Sequence, residues 1–116
     1  MERMSREEFV ERFPLVVPAY VVRGIHKDAV VIDRNAMFGG LAEGDVIIRA
    51  GARVIGHGII TGNLTVEDNA VLYYDGIVKG KVSVRGAACL MGIFESFEAI
   101  EGACVSIAED SKVGDR

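Results

Sequence analysis

The chain has 116 residues, half of them apolar, and a formal net charge of −4. This length suffices for one domain with a modest core, and the apolar content excludes a wholly disordered chain. The acidic balance argues against nucleic acid as the main partner, because proteins that bind phosphate backbones carry a basic surface.

The N-terminal segment, residues 1–27, is predicted to be a helical and extended cap. Ser5 followed three residues later by Glu8 forms the capping-box pattern of a helix start. Phe9 and Phe13 then share one helical face until Pro14 ends the helix. We expect this segment to pack on an open end of the repeat domain, and docking of a partner is the alternative. No apolar segment typical of a signal peptide or a membrane span occurs, so the sequence predicts a cytoplasmic protein without a membrane partner.

Residues 28–116 are predicted to form an all-β domain, a single-stranded, three-faced β-helix of about five coils. Every sixth residue from position 48 is aliphatic: Ile48, Val54, Ile60, Val66, Leu72, Val78, Val84 and Leu90. A period of six fits a chain that turns a corner every six residues, and neither a helix nor a simple alternating strand. The residues two positions before these recur in type every 18 residues, which is every third step of six, as in the column Ala52, Ala70 and Ala88. Three sides of six residues therefore form one coil, and the hand of the winding stays open.

The repeat is irregular near both ends. Residues 32–36 resemble residues 66–70, and both match the segment 48–52. The step from residue 32 to residue 48 is 16 residues, whereas the step from residue 48 to residue 66 is 18. After Leu90 the register slips. Since each coil pairs its backbone with the next, the two end coils have edges that need protection.

Two families share parts of this pattern. Residues 48–60 (IRAGARVIGHGII) and 76–84 (GIVKGKVSV) resemble the repeat of bactofilins, the polymer-forming cytoskeletal proteins of bacteria. That resemblance covers roughly residues 28–114 and implies a right-handed β-helix, no nucleotide or metal, and polymerisation through the terminal coils. Bactofilins usually flank the core with disordered proline-rich tails, whereas this sequence has a compact N-terminal segment and almost no C-terminal tail, which counts against filaments.

The second resemblance is to gamma-class carbonic anhydrases, hexapeptide-repeat proteins with a left-handed β-helix, over residues 55–58 and 65–72. That family binds a divalent metal with three histidines shared across a trimer interface. His57 matches one ligand, but Gly62 occupies the next ligand position and His26 precedes the repeats. Because zinc catalysis needs about three protein ligands, the metal site is not implied here. Hexapeptide acyltransferases use an interface histidine as a base, and a solvated corner residue is the alternative for His57.

The remaining residues give no catalytic motif. No serine, threonine or cysteine lies in a recognisable nucleophile motif beside a base. Cys104 has apolar neighbours, which disfavour a reactive thiolate, and the spacing of Cys89 and Cys104 does not indicate a disulfide. We interpret most of the C-terminal carboxylates as a solvated face or coil edge, with an acid/base pair as the alternative: Glu98, Glu101, Glu109, Asp110 and Asp115. The sequence therefore predicts a protein that is not an enzyme and carries no cofactor or metal.

One outward face is predicted to be apolar and exposed. It carries the candidate interface residues Ile55, Val71, Tyr73, Cys89 and Met91. A contiguous apolar patch usually marks an interface, where tyrosine and methionine are common. The alternatives are a register that is wrong by one residue, or coverage of this face by the N-terminal segment.

These expectations favour a non-catalytic scaffold that associates with copies of itself, as bactofilins do. A second hypothesis is a small cytosolic module that binds another protein, such as the immunity protein of a bacterial toxin. A third is a degenerate hexapeptide-repeat enzyme that forms trimers.

Overall fold

A computed structural model describes residues 1–18, 20–108 and 112–113. This part of the chain contains one helix and thirteen strands, all of whose pairings are parallel. In chain order they are β1 (Glu2–Arg3), α1 (Arg6–Arg12), β2 (Tyr20–Val22), β3 (Ile25–His26), β4 (Val30–Ile32), β5 (Ala36–Phe38), β6 (Leu41–Ala42), β7 (Val46–Ile48), β8 (Arg53–Ile60), β9 (Leu64–Val66), β10 (Val71–Val84), β11 (Ala87–Ala99), β12 (Cys104–Ile107) and β13 (Lys112–Val113).

The strands wind into a β-helix of about five coils, which confirms the predicted fold class. Face A contains β2, β5, β12 and the first parts of β8, β10 and β11. Face B contains β3, β6, β13, the second part of β8 and the middle of β10 and β11. Face C contains β4, β7, β9 and the last parts of β10 and β11.

The inward side chains of the three faces form one core. All eight residues of the six-residue aliphatic series are at most 2% exposed. Tyr74 and Phe94 also lie in this core, with ring centroids 6.4 Å apart. The Tyr74 hydroxyl donates a hydrogen bond of 2.9 Å to the Gly58 carbonyl, so its burial leaves no polar atom unsatisfied.

The corner between faces A and B requires glycine. It is occupied in successive coils by Gly24, Gly40, Gly58, Gly76 and Gly92. Gly58 has a φ of +121°, and a Cβ there would collide with the carbonyl oxygen of Gly40 one coil earlier. A side chain at this corner would therefore separate two paired coils in every coil after the first, whereas a Cβ at Gly24 would meet no atom within 4 Å.

The coils differ in length, which corrects part of the predicted register. Leu72 pairs with Val54 in the coil before it and with Ala88 in the coil after it, and the second of these steps is two positions shorter. The shortening lies at the corner where the chain passes from face C to face A, the C–A corner, over residues 84–88. The predicted stacking of Ala88 on Ala70 is therefore wrong, because Ala88 stacks on Leu72. A two-residue step keeps the inward and outward alternation, so the predicted core is unaffected.

Residues 1–18, which we call the strap, run along the outside of face A from the last coil to the first. At one end β1 pairs with β12, placing Glu2 beside Cys104. The α1 helix starts as predicted at Ser5, whose hydroxyl accepts a 3.1 Å hydrogen bond from the Glu8 N–H. The α1 helix therefore covers the outside of face A rather than the open end that we expected, while β1 pairs with the edge of β12 in the last coil. The first coil begins at Tyr20, so β2 and β3 lie inside the range 1–27 that the sequence assigns to the cap.

Candidate interaction surfaces

The five predicted interface residues lie on face A, and the strap covers most of them. Tyr73 is paired with Ile55 on one side and Cys89 on the other. Val71 and Tyr73 are each 6% exposed and Cys89 is 2% exposed, while Ile55 and Met91 are half-buried. The expected exposure of this patch is therefore wrong, and coverage by the N-terminal segment, the alternative reading, is what the structure shows.

The strap is held to face A by aromatic packing. The Phe9 ring is fully buried between Phe13, at 4.9 Å between centroids, and Tyr73, at 5.2 Å in an edge-to-face arrangement. The Tyr73 hydroxyl donates a hydrogen bond to the Phe13 carbonyl, one of the acceptors that the end of α1 leaves free. Offset and edge-to-face pairs are the favourable geometries for aromatic rings, so this cluster fixes where the strap lies.

The two cysteines sit close to the strap in different surroundings. Both are free thiols. Cys89 is buried beneath the strap, and burial raises the pKa of its thiol. Cys104 is half-buried, with its Sγ 3.9 Å from side-chain atoms of both Arg12 and Glu2. Burial likewise raises the pKa of Tyr73, so Cys89 and Tyr73 are both neutral at pH 7.

The histidines lie in different coils. His26 is in β3 of the first coil, with Nε2 3.0 Å from the Arg23 carbonyl oxygen. His57 is exposed in β8, where its ring lies over Gly39. In the described part of the chain, no three His, Cys, Asp or Glu side chains are grouped so that they could hold a metal ion.

The C-terminal carboxylates are described only in part. Glu98 and Glu101 are both exposed, and Glu98 forms a 3.0 Å ion pair with Lys81. The other three lie outside the described residues: Glu109, Asp110 and Asp115.

The first coil has an open edge on each of its three faces. Among the described strands, β2, β3 and β4 each pair on one side only, with β5, β6 and β7. Four apolar residues of this coil are exposed: Tyr20 (37%), Val21 (46%), Ile25 (68%) and Val31 (45%). We call these strands and side chains the first-coil edge. Free backbone groups beside apolar side chains are a template for pairing with another chain.

Face B carries on its outer side an aliphatic ladder that the sequence reasoning missed. Successive partners down the face are Ile25, Leu41, Ile59, Ile77 and Ile93. Ile59 and Ile93 remain 39% and 46% exposed. The signal in the sequence is Ile59, which lies between the corner residue Gly58 and the inward residue Ile60 and is followed one coil later by Ile77. This ladder is continuous with the first-coil edge at Ile25.

A recess of about 620 Å³ lies at the C–A corner beside the end of α1. Gly86 and Ala87, in the shortened corner, are among its lining residues. The same corner is two residues longer in the coil before and in the coil after. The longer corner before lines the recess with residues 68–70, and the longer corner after lines it with Gly102 and Cys104. The remaining lining residues are Arg85 of the shortened corner, Phe13 of the strap, and Arg53 and Val71 of face A.

Within the described residues, no helix combines the length and the apolar character that crossing a membrane needs. A scan against models of protein families found no match, and comparisons with curated proteins and with solved structures found no similar protein.

Proposed function

We propose that the protein is a non-catalytic β-helix scaffold that binds further copies of itself through the first-coil edge. The observation that carries this proposal is the combination, in one coil, of three strands with an unpaired side and four exposed apolar side chains. A second copy can hydrogen-bond to these strands and bury these side chains at the same time. Assembly through a terminal coil is also what the resemblance to bactofilins implies.

The two ends of the β-helix favour different roles. At the last coil, β1 extends face A beyond β12, and β13 pairs with β11 on face B. The first coil has no such additional strands among the described residues. We therefore expect two copies to meet through their first-coil edges about a two-fold axis, with the resulting dimer as the basic unit of assembly.

Sedimentation velocity on edge variants tests this proposal. Ile25→Lys places a charge on the first-coil edge, whereas Ile93→Lys places the same charge on the same face near the other end. We expect wild type and Ile93→Lys to associate and Ile25→Lys to sediment as a monomer, because an unpaired buried charge is costly. A monomeric wild-type protein, or equal association of both variants, would contradict the proposal.

A second candidate is a module that binds a different protein, such as an immunity protein that neutralises a toxin. The aliphatic ladder on face B favours it, since an exposed apolar ladder on a sheet fits a partner's apolar surface. This candidate predicts a monomeric wild-type protein whose capture of a partner is lost in Ile59→Lys and kept in Val31→Lys. A degenerate hexapeptide-repeat enzyme would instead predict a trimer in solution.

A further inference from the structure

We infer that the recess at the C–A corner binds a small organic anion, a carboxylate or phosphate monoester attached to an apolar body. This site lies apart from the first-coil edge, so it does not depend on the proposed self-association. The shape of the recess, its charge and its apolar walls each support the inference.

The shape of the recess is fixed by the backbone. The chain covers the corner from Val84 to Ala88 in four steps, while the next coil takes six steps from Ala99 to Val105. Gly86 lets the shortened corner lie close against the preceding coil, because a Cβ there would collide with the carbonyl oxygens of Ala70 and of Glu67. The volume of about 620 Å³ falls in the range of roughly 300–1,000 Å³ that is typical of small-molecule sites.

The charge of the recess is positive although the protein is acidic overall. Arg53 and Arg85 both line it, and neither forms an ion pair within the described part of the chain. Asp68 also lines the recess and is likewise outside those ion pairs, which leaves a net charge of about +1. Guanidinium groups present paired N–H donors that match the oxygens of carboxylates and phosphates.

The apolar walls indicate what the anionic group is attached to. Phe13 is half-buried at the recess and is held in place by its contact with Phe9, whereas Val71 and Ala87 expose only 6% and 2% of their surface there. An aromatic or aliphatic body can therefore pack on Phe13 while its anionic group faces the arginines. Asp68 disfavours a second anionic group at its side and can accept a hydrogen bond from a hydroxyl of the ligand.

Phenyl phosphate is a suitable probe, titrated into the full-length protein by isothermal calorimetry and followed by amide NMR shifts. Arg53→Gln and Arg85→Gln each remove one guanidinium, and Lys79→Gln is the matched control because it removes the same charge at an exposed position outside the recess. We expect saturable binding that is about tenfold weaker in each arginine variant and unchanged in the lysine variant. Shifts should concentrate at Gly86, Ala87 and Gly102, and the probe should slow alkylation of Cys104.

Comparison ligands separate the contributions of charge and apolar body. Inorganic phosphate should bind more weakly than phenyl phosphate, and benzyl alcohol should not displace it. No saturable binding at millimolar phenyl phosphate would overturn the inference. Equal weakening by Lys79→Gln would also overturn it, because the binding would then reflect overall charge alone.

Discussion

Phe9→Ala is expected to lower the free energy of unfolding by about 3–5 kcal/mol, the usual cost of truncating a fully buried phenylalanine. Phe9 is 0% exposed, and its ring contacts Phe13 and Tyr73 at centroid distances of 4.9 and 5.2 Å. Each of these aromatic pairs contributes about 0.5–1.5 kcal/mol beyond the burial of area. The loss cannot exceed the free energy with which the strap docks, because a strap that is already detached has no more contacts to lose.

The effect should be local as well as large. A seven-residue helix is not stable alone in water, so α1 and β1 should detach together once the Phe9 contact is gone. Urea unfolding measures the free energy, and hydrogen exchange should show lost protection in β1 and α1 with retained protection in face C. Val17→Ala is the control, because Val17 is 87% exposed and its truncation should change stability by less than about 0.5 kcal/mol. A loss below about 1 kcal/mol for Phe9→Ala, or unchanged exchange in α1, would refute this account of the strap.

Three further predictions concern the corner glycines and the groups beneath the strap. Gly58→Ala should lower the melting temperature, followed by circular dichroism, far more than Gly51→Ala; both residues have positive φ, but only at Gly58 would the new Cβ meet a neighbouring backbone oxygen. Stability should fall above about pH 9, because burial raises the folded-state pKa values of Cys89 and Tyr73. The contribution of these two neutral groups to the free energy of unfolding is complete below their unfolded-state pKa values and is lost as pH rises through the folded-state values. Urea midpoints from about pH 7 to about pH 11 measure this loss, and Cys89→Ala should remove its lower part; a flat wild-type profile would contradict it. Cys104 should be alkylated before Cys89, which is 2% exposed, and peptide mass mapping with equal rates at both thiols would count against the described burial.

The core could be predicted from the sequence because it depends only on which residues alternate inward. The series from Ile48 to Leu90 identified the buried aliphatic residues of four coils. The length of each coil was harder to predict, since the shortened corner at residues 84–88 moves the register by two and leaves the alternation unchanged. Inward and outward side chains alternate with a period of two, so a shift of two residues leaves the pattern of apolar positions unchanged and cannot be detected from it.

The candidate surfaces were less predictable, because they depend on contacts between distant parts of the chain. The apolar character of Val71, Tyr73 and Cys89 was correctly recognised, but their burial depends on how the strap lies over face A. Phe9 and Phe13 indicated an apolar helix face without indicating where it packs. The recess could not be predicted at all, since it arises from the difference in length between neighbouring corners, which appears only once the register is known.

Multi-angle light scattering of the purified protein over a wide range of concentration tests the proposed self-association most directly. The account predicts a mass that rises with concentration from 12.5 kDa to at least twice that value, through contacts between first-coil edges. A mass that stays at 12.5 kDa at every concentration would contradict the scaffold proposal and favour a module that binds a different protein.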